Sequence, residues 1–114
     1  MRIETERLLL REMNEGDYLD LCKILQDKDV MYAYDGPFSD EGVQQWLDKQ
    51  KERYRHNELG LLALVLKDIN EMIGQCGLTW QEYKSEQVLE IGYLLRKDFW
   101  GNGYATEAAK ASDY

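Results

Sequence analysis

Between Asp98 and Ala111 the sequence reads DFWGNGYATEAAKA, with Gly101 and Gly103 in a Gly-x-Gly spacing ahead of an alanine-rich run. A glycine loop that feeds a helix leaves the helix's first N–H groups without partners, aimed together at the positive end of the dipole. That end suits a phosphate, and glycines let a ligand approach the backbone with no Cβ in the way. The same spacing also serves plain tight turns, so alone it favours only a turn that starts a helix. Two nucleotide patterns fail outright. The Rossmann fingerprint needs a glycine three positions after Gly103, where Thr106 stands, and nothing matches the Gly-Lys-Ser/Thr end of a P-loop.

Other side chains able to do chemistry fit blander roles. His56 is the single histidine and falls among polar residues at an expected helix end, which suits a surface position. Cys76 lies in an apolar run and reads as a small core residue rather than a nucleophile. Cys22 and Cys76 have no metal-like spacing, and no metal is expected. Trp46 and Trp80 read as core. Tyr32, Tyr34 and Phe38 surround Gly36-Pro37, where they would anchor the turn or line an acceptor cleft.

The elements that must position these residues follow from periodicity. RLLLRE, Arg7 to Glu12, reads as an opening strand. Tyr18, Leu21, Cys22 and Leu25 fall at helical spacing, with acids near the start. After Gly36-Pro37, Ser39 is an N-cap for a second helix with a stripe of Val43, Trp46, Leu47 and Tyr54, ending near His56-Asn57. GLLALVLKD and EMIGQCGLTW form a hairpin through Asp68 to Glu71, with Gly74 and Gly77 marking a bulge or a close backbone approach. QEYKSEQ reads as a polar turn and VLEIGYLL as a third consecutive strand. Leu89, Ile91, Tyr93 and Leu95 would share one face of it, which makes Tyr93 a core tyrosine, and Glu90, Gly92 and Leu94 the other. A helix begins around Gly103.

Bulk properties bound the answer. The chain has 114 residues, 44% hydrophobic and 32% charged, which suits one folded domain. A net charge of -8 argues against nucleic acid or an anionic membrane as partner and favours a cationic substrate. With no secretory leader pattern and no membrane-length apolar run, a cytoplasmic location is expected.

EIGYLLRKDFWGNGYATEAAKA resembles the acetyl-CoA-binding motif of the GNAT superfamily of N-acetyltransferases, whose loop is written Q/R-x-x-G-x-G/A. Together with TERLLLRE near the start, it is similar to the branch that includes the ribosomal-protein alanine N-acetyltransferases. The likeness runs from about Thr5 to the last residue. Trp100 stands where the general motif opens on Gln or Arg. The resemblance implies an α/β fold, a mixed and mostly antiparallel sheet of at least four strands flanked by helices, with two helices between the first and second strands. It also implies acetyl-CoA as cosubstrate and a primary amine as acceptor, on a protein N-terminus or a small molecule, attacking directly with no acyl-enzyme.

An aliphatic amine with a pKa of about 10 must lose a proton before it attacks, and a carboxylate acting through water can take it. Glu90 is the candidate base, because it precedes the positions implied to hold the oxyanion on the same strand. Its alternative, the commoner role for such a residue, is a charge at the wet end of a strand or one paired with a neighbouring Arg or Lys. A backbone N–H around Leu94 and Leu95 would hold the oxyanion, with the pantetheine arm pairing there like an added strand. Tyr93 is a second choice as acid toward the leaving thiolate. Trp100, Gly101, Asn102, Gly103, Tyr104, Ala105 and Thr106 make up the pyrophosphate loop, and Arg96, Lys97 and Lys110 would either add positive charge there or, as is commoner for long basic side chains, simply be solvated.

In the family, a further strand, a helix and a closing hairpin follow, and acetyl-CoA enters between the fourth and fifth strands. The expectation for residues 1–114 is therefore a single domain lacking its C-terminal strands and helix, with reduced activity. A homodimer formed through the exposed region from Val88 to Tyr114 is expected as well. The rival reading is a noncatalytic CoA-binding or interaction module.

Overall fold

Leu8, Leu9 and Leu10 are consecutive, and successive strand side chains point to opposite faces, so burying all three needs apolar cover on both sides of the sheet. The structure, a computed structural model, describes residues 2–34, 36–56 and 59–112, leaving aside the side chains of 79–83, 90, 91 and 112. Five strands, β1 (Arg2–Glu4), β2 (Leu8–Arg11), β3 (Leu62–Leu66), β4 (Glu71–Tyr83) and β5 (Glu86–Leu95), form one sheet in that order. Every neighbouring pair is antiparallel. Helices α1 (Tyr18–Leu25) and α2 (Asp40–Arg55) lie between β2 and β3, and α3 (Tyr104–Ser112) follows β5.

The two faces have separate cores. Leu8, Leu10, Leu64, Ile73 and Leu95 pack with Ala108 of α3. Leu9, Ala63, Val65, Met72 and Leu94 pack with Leu21, Ile24 and Leu25 of α1 and with Val43 and Leu47 of α2. This double cover explains why β2 and β3 are apolar runs rather than alternating ones.

The α/β architecture with antiparallel pairing agrees with the expectation, and the differences are local. The expected opening strand is β2, and β1 precedes it, giving five strands; three residues with only Ile3 half-buried carry too little pattern to be seen. In α1 the buried stripe is Leu21, Ile24 and Leu25, while Tyr18 and Cys22 sit at its margin. Ser39 caps α2, its Oγ accepting from the Gly42 N–H at 3.0 Å, and the helix stops at Arg55 with His56 as C-cap. Periodicity does not point to the buried Gln50, whose Oε1 accepts from the Leu61 N–H at 2.9 Å and ties α2 to the start of β3.

Pairing between β3 and β4 slips at Ile73, since Leu64 faces Gly74 and Val65 faces Met72. The bulge is therefore at Ile73, and Gly74 is the close approach: a Cβ there would lie 2.4 Å from the Leu94 carbonyl oxygen. The expected seven-residue turn QEYKSEQ is a correction. Pairing continues to Tyr83 and resumes at Glu86, so only Lys84 and Ser85 form the turn. Backbone pairing carries the strands past the apolar core, where polar residues look like loop. The expected buried stripe of β5 is also corrected, because Leu89 and Tyr93 are 44% and 53% exposed, and among its described side chains Leu95 alone is buried. Ile91 and Trp80 lie outside the described side chains. Among the described residues no helix is long and apolar enough to cross a membrane.

Candidate functional site

The chain leaves β5 at Leu95, makes one 3-10 turn at Lys97–Phe99, passes Gly101 and Gly103, and enters α3. Both glycines have left-handed φ, +81° and +80°, which L side chains rarely adopt. A Cβ at Gly101 would meet nothing within 4 Å, so the loop is open on that side. Within α3 the Glu107 N–H bonds the Gly103 carbonyl at 3.0 Å, and by helix geometry the N–H groups of Tyr104, Ala105 and Thr106 have no partner in the helix itself. These groups border a cleft of about 470 Å³ whose lining includes Tyr93, Leu94, Leu95, Trp100, Gly101, Gly103, Tyr104, Ala105, Thr106 and Val30. Asn102 does not line it. Its Nδ2 donates to the carbonyls of Phe99 and Trp100 at 3.1 and 3.3 Å and braces the loop from behind.

The end of β5 presents a defined set of backbone groups. The Arg96 N–H donates to the Ile73 carbonyl at 2.8 Å, toward β4. Amides alternate along a strand, so those of Leu94 also face β4, while those of Tyr93 and Leu95 face away from it. Two observations agree with this: the Leu94 oxygen crowds Gly74, and the Leu95 carbonyl accepts from Trp100 Nε1 at 2.9 Å. Of the expected pair, then, Leu95 offers its N–H outward and Leu94 does not. Tyr93 is no core tyrosine: it is half exposed and faces the cleft, because α3 covers the sheet only near Leu95 and Ala108. Glu90 stands opposite Thr79 in β5, and its side chain lies outside the described residues.

Two of the three cations near the loop are paired with acids, and so are neither simply solvated nor free to add charge. Arg96 donates at 2.8 Å both to Glu71 and to Asp98 and lies over the Phe99 ring, and Lys97 pairs with Asp29. The bonds from Arg96 and then Lys23 hold the Glu71 carboxyl below the usual carboxylate range, and Lys97 does the same to Asp29. These cations stitch loop and strand to acids of the same chain. Lys110 is exposed on α3.

Sequence reasoning missed the group that fastens this loop. Arg7 Nε donates to Glu107 Oε1 at 2.7 Å, the Arg7 backbone N–H to Glu107 Oε2 at 3.0 Å, and Arg7 Nη1 to the Asn102 carbonyl at 2.9 Å. The Thr5 hydroxyl also donates to Glu107 Oε2. The guanidinium stacks over Tyr104, 4.5 Å from the ring centroid. Burial pushes the Glu107 carboxyl up, and the bonds from Thr5 and Arg7 outweigh this and hold it below its ordinary value. The available signal was a lone acid in an alanine-rich helix beside a Thr-Glu-Arg segment about a hundred residues earlier.

Elsewhere the bland assignments fit. His56 Nε2 sits 2.8 Å from Glu52 on the surface, and Cys76 is buried. Trp46 packs edge-on against Phe38 and donates to buried Gln75 at 3.0 Å. Phe38 joins the α1–α2 core, whereas Tyr32 and Tyr34 stand exposed in a separate turn. Among the described residues no three His, Cys, Asp or Glu gather as metal ligands.

A family model described as an acetyltransferase (GNAT) domain matches residues 7–112. The uncharacterized protein YkkB of Bacillus subtilis is 34% identical over 111 residues, covering 96% of this chain and 64% of that protein. The uncharacterized N-acetyltransferase YnaD of the same organism is 30% identical over 112 residues, covering 97% and 62%. The crystal structure of a GNAT-family acetyltransferase from Bacillus anthracis superposes with a TM-score of 0.78 at 27% identity, covering 97% of this chain and 63% of that one. The chain thus spans somewhat under two thirds of the length of each.

Proposed function

The chain belongs to the GNAT acetyltransferase family, and from that premise we propose that the protein transfers an acetyl group from acetyl-CoA to a primary amine. The observation that carries this reading is the pair of left-handed glycines opening α3 onto the cleft at the end of β5. The open space beside Gly101 fits a pyrophosphate, since a Cβ would occupy the approach to the backbone donors. Gly101, Gly103, Tyr104, Ala105 and Thr106 would hold that group, and the outward amide of Tyr93 would pair with the pantetheine arm. Bound acetyl-CoA supplies an activated thioester.

The chain's own contribution is then orientation and charge. The Leu95 N–H is the backbone donor placed for the acetyl oxygen as it gains charge. Glu90 is the proposed base. It precedes Leu95 by five residues, roughly 17 Å of strand, farther than one bridging water spans, so the amine's proton would reach it along a chain of several waters. Tyr93, exposed at the cleft, is the proposed acid toward the sulfur. The net charge of -8 favours cationic acceptors such as a peptide N-terminus or a polyamine.

A thiol-release assay with peptide N-termini, polyamines and aminoglycosides, run beside calorimetry with coenzyme A, tests this. Turnover with any amine supports the reading. Coenzyme A binding without turnover converts it to a noncatalytic CoA-binding module, and absence of both removes it.

A further inference from the structure

The loop that would take a pyrophosphate carries a difficulty of its own, because Glu107 lies in the first turn of α3 and a carboxylate there competes with an incoming anion. The structure resolves this with residues from the far end of the sequence. Glu107 Oε1 is occupied by Arg7 Nε, and Oε2 by the Thr5 hydroxyl and the Arg7 N–H. The acid is thereby neutralised and drawn toward the Thr5–Arg7 segment. The same guanidinium reaches past it to the carbonyl of Asn102, the residue between the two glycines, and lies flat against Tyr104, the first residue of α3. Its Nη2 sits 3.5 Å from where a Cβ of Gly103 would be.

One planar group thus contacts the helix acid, the loop carbonyl and the helix's first side chain. We propose that Arg7 is a positioning residue for the anion-binding loop, fixing Gly101 and Gly103 in their left-handed form and keeping Glu107 away from the ligand. This rests on the reading of the cleft as a coenzyme A site, but its structural half does not depend on that reading. A planar fork is needed, because a lysine ammonium is a point charge that cannot repeat the Nε and Nη1 bonds together while stacking on a ring.

The test uses R7K in the 114-residue chain, with R7M alongside to separate charge from shape. Heteronuclear NOEs of the Gly101 and Gly103 amides, measured without ligand, should fall in both variants while those of β3 stay unchanged. Calorimetry should then show R7K losing about tenfold in coenzyme A affinity, as expected for a few perturbed charged hydrogen bonds, with pantetheine, which lacks the pyrophosphate, unaffected. Loop amides as ordered in R7K as in the parent chain would overturn the inference, as would equal losses for coenzyme A and pantetheine. A parent chain that binds no coenzyme A, with the loop NOEs still falling in R7K, would remove the coenzyme reading and leave the positioning role standing.

Discussion

The Trp100 indole N–H donates to the Leu95 carbonyl at 2.9 Å, joining the loop ahead of α3 to the last residue of β5. The acceptor is one of the outward-facing backbone groups of that strand, and the donor stands where the family motif opens on Gln or Arg. Trp100 therefore closes the strand end and walls the cleft together. Trp100→Phe keeps the apolar wall and removes the donor. It should lower stability by about 1 kcal/mol, the worth of one hydrogen bond, and weaken coenzyme A binding by up to about fivefold as the strand end loses its preorganised form; thermal melts and calorimetry on the purified variant read the two effects.

Gly103→Val places a branched side chain at φ +80° beside the Arg7 guanidinium, and a residue of that kind costs about 1–2 kcal/mol in the left-handed region before any contact is counted. Coenzyme A affinity should fall far more in this variant than in Glu90→Gln, which should lower kcat with affinity retained. Unchanged affinity in the valine variant would refute the loop assignment, and an unchanged kcat in the glutamine variant would refute the base.

The sequence made the loop and the strand before it legible because glycine spacing, strand-loop-helix order and an alanine-rich run are all local. The hairpin of β3 and β4 and the cap at Ser39 were legible for the same reason. What stayed hidden is non-local. Arg7 and Glu107 meet only because β2 lies under α3, and Arg96 reads as a free cation until β4 brings Glu71 beside it. Tyr93 misled because period-two alternation assumes a uniformly covered face, and the cover over β5 is confined to one end.

Arg11 and Asp17 form a two-pronged pair at 2.8 and 2.9 Å, and the same carboxylate accepts from the Asn14 N–H at 2.9 Å. Asp17 is almost wholly buried. Burial raises its carboxyl, while the bonds from Arg11 and Asn14 prevail and leave it below the ordinary 3.8. A lowered folded-state value stabilises above the unfolded value and loses that contribution as pH falls through the folded one. Asp17→Asn should cost about 2 kcal/mol at neutral pH and flatten the acid limb of the stability profile below about pH 4. Urea titrations of parent and variant at neutral and acid pH check both parts, and a stability gap that does not narrow on acidification would sink the assignment.

The hairpin between β4 and β5 turns on Lys84 and Ser85, both non-glycine and both at positive φ, +50° and +66°. A two-residue loop with both central residues left-handed is the turn whose twist matches paired strands, and its preferred second residue is glycine. A serine there carries a steric penalty of roughly 1 kcal/mol that glycine lacks, partly offset by glycine's greater freedom in the unfolded chain. Ser85→Gly should therefore raise stability by about 0.5 kcal/mol, a gain of roughly 2–3 °C in Tm. Ser85→Val should lower it by more, since a branched residue fits the left-handed region worst. The turn lies about 30 Å of strand from Leu95, so neither variant should alter coenzyme A affinity. Calorimetric melts in which the glycine variant unfolds below the parent would show that the strands do not meet at this two-residue turn.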